Sequence, residues 1–190
     1  MENMTAHGMP LIEEEDASPE VVEVYAALKQ LQQRPTVPNW AKILAVSPSA
    51  LKMYTGMLVA FYEHLSLPQS LVAMICFTIA ERSNCTYCAA LNEHTCRTLG
   101  VDEETVTAMA TDLEGVNPER VRAIIEFSLK IAKESQGLSL EDFDKLRAHG
   151  VSNDEIMEIA LIAGMGVLND VLADAVKMEV DPDIAEALGK

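Results

Sequence analysis

The sequence predicts an all-α protein, and three observations lead to that prediction. Signals for helix starts and ends recur along the chain, apolar residues recur at spacings of three and four, and no segment shows the alternating pattern of a strand. Aromatic residues make up only 5% of the chain, although hydrophobic residues make up 49% and ten residues are methionine. Because methionine is unbranched and fills irregular gaps, this composition favours packed helices. We expect about eight or nine of them.

Serine and proline residues mark the first helices. Ser18 is the expected N-cap and Pro19 the first residue of the helix in SPEVVEVYAALKQLQQ, because proline lacks an N–H that would be unpaired there anyway. The two prolines of RPTVPN end this helix, and a short helix follows around Trp40 to Val46. A second Ser-Pro pair opens SPSALKMYTGMLVAFYEHL. The almost wholly apolar SLPQSLVAMICFTIAERSN is then the expected central helix.

Three more helices follow in the middle of the chain. The segment CTYCAALNEHTCRTLG carries three cysteines and should end at Gly100, which suits a left-handed C-cap. Asp102 is expected to cap a short helix that runs to about Leu113. Asn117 and Pro118 then open the helix in PERVRAIIEFSLKIAKES.

The last part of the chain predicts two more helices. Ser139 should cap LEDFDKLRAHG, and Ser152 or Asn153 should open a long helix centred on ALIAGMGVLNDVLADAV. Gly164 and Gly166 lower the helix propensity of this segment. Their expected use is therefore the close approach of another helix.

The domain organisation follows from length and composition. Residues 1–17 are expected to form a flexible acidic tail or arm. Residues 18–190 are expected to form a single all-α domain, because a chain of this length can bury a core within one domain.

The formal net charge of −16 disfavours two kinds of partner. Binding to nucleic acid needs clustered Lys and Arg, and the sequence has no such cluster. An anionic membrane surface is disfavoured for the same reason. We expect neither nucleic acid nor a membrane as a partner.

The sequence indicates a cytoplasmic location. Its beginning, MENMTAHGMPLIEEED, lacks a basic start and an apolar run, so we expect no signal peptide. The runs LVAMICFTIA and IALIAGMGVL are about half of the roughly 20 residues that cross a bilayer, which predicts buried helix centres. In a reducing compartment, a close pair of cysteines is more often catalytic or metal-binding than structural.

Two of the four cysteines, Cys85 and Cys88, stand three residues apart at the expected start of a helix. At that spacing the second thiol lies about 60° around and one turn along, so both can share one face. A helix N-terminus and a Cys-x-x-Cys spacing are conditions that lower a thiol pKa and allow reversible disulfide formation. The alternative is a pair of small buried hydrophobic residues, as Cys76 and Cys96 are expected to be.

The residues around the pair are candidates for proton carriers and for metal ligands. Glu81, four residues earlier, suits proton relay better than electrostatic activation, because its charge opposes a thiolate. His94 points to another face of the helix and fits an ordinary surface or interface histidine. A zinc site of Cys85, Cys88, His94 and Cys96 is disfavoured, since these residues spread over about 16 Å of one helix. We therefore predict no metal.

The segment ERSNCTYCAALNEHT resembles the E-x-x-x-C-x-Y-C-x-x-x-H signature of the alkylhydroperoxidase D-like and carboxymuconolactone decarboxylase superfamily. The likeness extends outward to cover roughly residues 35–182, where the flanking segments are similar to those of peroxidase-related members. It implies an alkylhydroperoxidase D-like helical bundle that assembles into a homo-oligomer, a trimer or a hexamer. It also implies reduction of a hydroperoxide by the cysteine pair, without metal or haem.

The resemblance also implies a role for each site residue. Cys88 would attack the peroxide, Cys85 would resolve it, and Glu81 would be the motif glutamate. The motif histidine falls on Asn92, which can orient water or a thiol but cannot carry a proton at neutral pH. His94 is retained as a further candidate, because it can serve a neighbouring subunit.

The predicted function is a thiol-dependent (hydro)peroxide reductase of the peroxiredoxin type. Its substrates would be a small organic hydroperoxide or hydrogen peroxide, its only cofactor a redox-active Cys85–Cys88 disulfide, and its reductant a dithiol of the thioredoxin or lipoyl type. One alternative is a redox sensor or structural oligomer whose pair does not turn over. Another is a carboxymuconolactone-type decarboxylase, which would not need the cysteines.

Overall fold

The computed structural model describes residues 4–189, and the predicted fold class is confirmed. This part of the chain contains ten α-helices and no strand, apart from an isolated bridge between Met4 and Pro10. The helices are α1 Pro19–Gln32, α2 Asn39–Leu44, α3 Pro48–His64, α4 Gln69–Ser83, α5 Thr86–Thr98, α6 Glu103–Ala110, α7 Glu119–Glu134, α8 Leu140–Ala148, α9 Asn153–Val176 and α10 Pro182–Ala187.

Most predicted helix ends lie where the capping residues placed them. Ser18 and Pro19 open α1, and the side chain of Asp102 accepts a hydrogen bond from the Thr105 N–H at 2.8 Å at the start of α6. Ser139 and Asp142 form a reciprocal capping box on α8. Gly100 and Gly150 take left-handed conformations after α5 and α8. These ends are fixed by local hydrogen bonds, which is why the sequence predicts them well.

The sequence misplaced the end of one helix and missed another helix. Helix α6 ends at Ala110 rather than near Leu113, because Thr111 leaves the helical region and Leu113 has a positive φ of 70°. Helix α10 was not predicted at all. It has only six residues, and so short a segment carries little periodic signal.

The chain forms two compact units. Among the described residues, the first comprises residues 4–65 together with Ala173–Asp181, and the second comprises Ser66–Leu172 together with residues 182–189. The prediction of a flexible tail at 1–17 and one domain at 18–190 stays a prediction.

In the first unit, α3 packs against α1 and α2. The acidic segment before α1 joins this unit through hydrogen bonds, from the Tyr25 hydroxyl to the Ile12 carbonyl at 2.8 Å and from the Ile12 N–H to the Lys42 carbonyl at 3.1 Å. The buried Asn39 donates to Asp181 at 2.8 Å and to the Glu179 carbonyl at 3.0 Å.

In the second unit, α4 is the central helix. It contacts α5, α6 and α7, and eight of its residues in succession, Ala73 to Ala80, are buried. This confirms the prediction of a central helix drawn from its apolar sequence. The C-terminal end of α4 leads directly into the cysteine segment, so the most buried element of the unit positions that segment.

Helix α9 is the one helix of residues 4–189 that is long and apolar enough to cross a membrane, with a mean hydropathy of 1.7 over its most apolar window. Within the structure, 44% of that window is buried. Core helices of ordinary globular proteins satisfy the same criterion, and the predicted cytoplasmic location stays a prediction.

Gly166 of α9 lies against α4, as expected for a close helix approach. A methyl group added there would lie 3.2 Å from Cδ1 of Ile79. Gly164 was expected to serve the same purpose, but within residues 4–189 no other helix approaches it. It is exposed, and an added methyl group would meet nothing within 4 Å.

We expect the free energy of unfolding of Gly166→Ala to be lower than that of Gly56→Ala by at least about 1 kcal/mol, as measured by chemical denaturation. Gly56 lies within α3, where the new methyl group meets nothing within 4 Å, so alanine there should stabilise by about 0.8–1 kcal/mol. Ile79→Val removes the Cδ1 atom. In that background, the change in the free energy of unfolding caused by Gly166→Ala should be more favourable than in the wild type by about 0.5 kcal/mol or more. Additive effects of the two substitutions would contradict this contact.

Candidate active site

The connection between α4 and α5 determines where the two thiols lie. Helix α4 ends at Ser83, and Asn84 takes a left-handed conformation with φ 60°. The Cys85 N–H then returns to the Ala80 carbonyl at 3.0 Å, closing the end of α4. Cys85 is therefore the N-cap of α5 and Cys88 its third residue, which confirms the predicted placement at a helix start.

Cys85 and Cys88 bring their sulfur atoms together. The two Sγ atoms lie within 4.8 Å of each other, and both cysteines are free thiols. Both are buried, with 0% and 4% of their surface exposed. Because the first-turn N–H groups of a helix have no partners within it, this position favours negative charge on the sulfurs.

Asp170 of α9 is the third member of the cluster. One of its carboxylate oxygens lies within 4.8 Å of both sulfur atoms, and only 6% of the residue is exposed. The carboxylate makes a hydrogen bond with the Cys88 thiol and accepts another from the Ser83 hydroxyl. A buried carboxylate is costly without such partners, so this pairing holds it in place.

The position of Asp170 follows from the packing of α9 on α4. Gly166 meets Ile79, and Asp170 meets Ser83. On each helix the second contact residue follows the first by four positions. The two contacts therefore lie about one helical turn apart, and α9 and α4 run parallel at this place. The close approach at Gly166 therefore sets the carboxylate at the level of the thiols.

The neighbours of Cys88 oppose its ionisation. Its pKa is raised above the usual range, first by the hydrogen bond with the Cys85 thiol, then by burial, and further by the charge of Cys85 and by Asp170. A thiolate on Cys88 therefore needs a group that takes its proton at the site. The carboxylate of Asp170 is in hydrogen-bond contact with that thiol and can do so.

The other predicted site residues lie nearby but outside this cluster. Glu81 is half-buried in the last turn of α4, and no hydrogen bond or ion pair of its carboxylate is seen within residues 4–189. The Asn92 amide donates to the Cys88 carbonyl at 2.8 Å, one turn back along α5. His94 is half-buried, and neither Glu81 nor His94 joins the group of donor atoms around the sulfurs. The roles predicted for these residues stay predictions.

The remaining cysteines, Cys76 and Cys96, are buried in the packing, as expected. Burial raises the pKa of each to about 12, with a smaller contribution from Asp170 for Cys76 and from Cys76 for Cys96. Such thiols stay protonated and unreactive near neutral pH.

Sequence reasoning missed Asp170. The available signal was a pair of acidic residues, Asp170 and Asp174, within the apolar run of α9. A carboxylate in such a run either faces solvent, as Asp174 does, or is buried with partners, as Asp170 is. The sequence does not distinguish the two, because the choice depends on which face of α9 packs against α4.

Comparison with solved structures places this fold among known proteins. No protein-family model matches the chain, and no curated protein matches it. An alkylhydroperoxidase AhpD core structure, an uncharacterized peroxidase-related protein from Ralstonia eutropha JMP134, matches with a TM-score of 0.83 at 21% identity, covering 92% of each chain. An uncharacterized peroxidase-related protein from Silicibacter sp. TM1040 also gives 0.83 at 21% identity, covering 96% of this chain and 94% of its own.

A third similar structure is a cysteine-to-alanine variant of the debrominase Bmp8 in complex with 2,3,4-tribromopyrrole. Its TM-score is 0.80 at 19% identity, and the match covers 100% of this chain and 98% of the debrominase. The chain therefore has the alkylhydroperoxidase D-like fold, which confirms the fold that the sequence resemblance implied.

Proposed function

We propose that the protein is a thiol-dependent peroxidase that reduces small hydroperoxides through Cys85 and Cys88. The observation that carries this proposal is the approach of two free thiols and one buried carboxylate to within 4.8 Å at the start of a helix. A peroxidase of this kind needs a sulfur nucleophile, a second sulfur within disulfide reach, and a proton acceptor. The cluster contains all three.

In the first step, the Asp170 carboxylate takes the proton of the Cys88 thiol. The thiolate attacks one oxygen of the hydroperoxide and the O–O bond breaks. Cys88 becomes a sulfenic acid, and the departing oxygen leaves as an alcohol, or as water when the oxidant is hydrogen peroxide, after taking up a proton. Asp170 can return that proton, so no other acid is required.

In the second step, the Cys85 sulfur attacks the sulfenic sulfur of Cys88. Water leaves and a disulfide forms, so two thiols and one hydroperoxide give one disulfide, one alcohol and one water. A dithiol of the thioredoxin or lipoyl type then restores both thiols by exchange. The disulfide would be the only cofactor of this cycle.

Asp170 replaces Glu81 as the proton carrier in this scheme. Asp170 is in hydrogen-bond contact with the reacting thiol, whereas Glu81 is not part of the cluster. It also supplies the proton transfer that Asn92 cannot perform, since an amide does not titrate near neutral pH. Asn92 then holds the first turn of α5 through its bond to the Cys88 carbonyl.

The surroundings of the thiols narrow the substrate class. Because Cys85 and Cys88 are 0% and 4% exposed, small oxidants are favoured over bulky ones. The formal net charge of −16 repels anions, so an uncharged hydroperoxide fits better than a charged one. Hydrogen peroxide and short alkyl hydroperoxides satisfy both conditions.

A homo-oligomer and a cytoplasmic location remain part of the proposal. An exposed apolar face of α9 supports the first. Met157, Leu161, Leu168 and Val171 are exposed, and with Gly164 between them they follow alternating spacings of four and three residues. That spacing is typical of helices that pack along a shared seam, which suits contact with a second copy.

Three other functions compete with this one. A redox sensor would be oxidised once and stop, whereas a peroxidase consumes many equivalents of peroxide in the presence of a dithiol. A reductive debrominase would release one bromide from 2,3,4-tribromopyrrole as the two thiols become a disulfide. A decarboxylase would turn over a carboxylated lactone even in the Cys85→Ser/Cys88→Ser double variant. Steady-state assays of these reactions on one preparation distinguish these three functions from the proposed peroxidase.

The two cysteines should give distinct products with one equivalent of hydrogen peroxide. The wild-type protein should lose about 2 Da, the mass of two thiol hydrogens, because a disulfide forms. Cys85→Ser should gain about 16 Da, because the sulfenic acid on Cys88 has no partner. Cys88→Ser should show neither change.

Intact-mass spectrometry of the reduced proteins measures these products, and Cys96→Ala is the matched control that should behave as wild type. If Cys88→Ser gains oxygen at the wild-type rate of oxidation, Cys88 is not the attacking thiol.

Asp170→Asn should slow the oxidation of Cys88 by peroxide at neutral pH by at least about tenfold, because loss of a general base typically costs about 10²–10⁴-fold. A carboxylate that only repelled the thiolate would give the opposite sign, since its removal would favour ionisation. Asp174→Asn is the control, because it removes the same charge from an exposed position of the same helix. Stopped-flow measurement of the oxidation rate, on variants whose circular dichroism matches the wild type, decides between a general base and a merely repelling charge. Faster oxidation of Asp170→Asn would contradict the role of Asp170 as general base.

A further inference from the structure

Three donor groups of metal-binding type come together from two helices. Cys85 and Cys88 belong to the start of α5, and Asp170 belongs to α9. Their ligand atoms, two sulfurs and one carboxylate oxygen, all lie within 4.8 Å of one another, and all three residues are buried. We propose that the reduced cysteine pair and Asp170 form a binding site for one divalent cation of the zinc class, and that metal binding and disulfide formation exclude each other.

The spacing of the donor atoms suits a tetrahedral ion. Zinc binds thiolate sulfur at about 2.3 Å and carboxylate oxygen at about 2.0–2.2 Å, so adjacent ligands in a tetrahedron lie about 3.6–3.8 Å apart. Donor atoms already within 4.8 Å reach that spacing by small side-chain rotations. Three protein ligands leave the fourth position for water.

The chemistry of the donor set selects the metal. Two thiolates and one carboxylate suit Zn²⁺, Co²⁺ or Cd²⁺, whereas Mg²⁺ and Ca²⁺ require oxygen ligands throughout. Binding releases two thiol protons, and the complex of one dication with three anionic ligands carries a net charge of −1. Without the metal, three ionised groups at this buried place would carry −3, which burial strongly opposes.

Ser83 acts as an outer partner of the site. Its hydroxyl donates to the Asp170 carboxylate, which is itself 6% exposed. Hydrogen bonds of this kind orient a ligating carboxylate and raise metal affinity. The sequence disfavoured a zinc site made from residues of one helix, and that geometry does not apply here, because α9 supplies the third ligand.

The exclusion between metal and disulfide rests on the proposed function. One Zn²⁺-bound dithiolate, one hydrogen peroxide and two protons give one disulfide, two waters and free Zn²⁺. The disulfide leaves only Asp170 as an ionised donor, so the oxidised protein should not hold the metal. In the reduced protein, bound metal occupies both sulfurs and Asp170, and it should therefore protect the pair from peroxide.

Titration of the reduced, full-length protein with Co²⁺ under anaerobic conditions tests the site. We expect one equivalent to bind, with a thiolate-to-cobalt absorption band and the intense visible bands of tetrahedral cobalt, and Zn²⁺ to displace it. Asp170→Asn should weaken binding at least about tenfold, and Cys85→Ser should lose most of the thiolate band. Asp174→Asn and Cys96→Ala should bind as wild type does.

Two outcomes would contradict metal binding at this site. One is the absence of a thiolate-to-cobalt band in the wild-type protein at millimolar Co²⁺. The other is a band that survives unchanged in Cys85→Ser or in Asp170→Asn, since the metal would then be bound elsewhere.

A second measurement tests the exclusion separately from the proposed function. Peroxide should oxidise the Zn²⁺-saturated protein at least about tenfold more slowly than the metal-free protein, and the diamide-oxidised protein should bind no Co²⁺. Equal oxidation rates with and without Zn²⁺ contradict the exclusion. Co²⁺ binding without peroxide turnover would contradict the proposed function but support the metal site. Peroxide turnover without Co²⁺ binding would support the proposed function but contradict the metal site.

Discussion

A buried carboxylate in contact with a buried thiol is the interaction on which the rest of this site depends. Asp170 is 6% exposed, and its neighbours are the Cys88 thiol and the Ser83 hydroxyl. A charge in such a place is unfavourable unless its partners compensate it. Asp170 adds to the effects that raise the pKa of Cys88, and it also places a proton acceptor within reach of both sulfurs. With it, the same pair can give up protons to a base or to a metal.

The architecture of the second unit holds these groups in register. Helix α4 is buried along most of its length, and its left-handed end at Asn84 turns the chain so that Cys85 caps α5. Gly166 allows α9 to approach Ile79, and one turn later Asp170 reaches Ser83. The catalytic proposal and the metal proposal use the same three residues. In the reduced protein these residues either react with peroxide or hold the metal, and the disulfide form does neither.

Local signals in the sequence predicted much of this arrangement. Capping residues such as Asp102 and Ser139 fix helix ends through short-range hydrogen bonds, and the Cys-x-x-Cys spacing places both sulfurs on one face of α5. Asp170 could not be predicted in the same way, because its role depends on contact between residues 87 positions apart. The two glycines of α9 show the same dependence on packing, because the sequence does not state which of them faces α4.

The thiol stretching band in the infrared spectrum tests the central contact most directly. It is best recorded on the reduced protein with Cys76→Ala and Cys96→Ala, so that only the site thiols contribute. A Cys88 S–H group that donates to Asp170 should give a band at lower frequency than in the same protein carrying Asp170→Leu. An identical band with and without the carboxylate would mean that Cys88 donates no hydrogen bond to Asp170, and the contact on which this site depends would be absent.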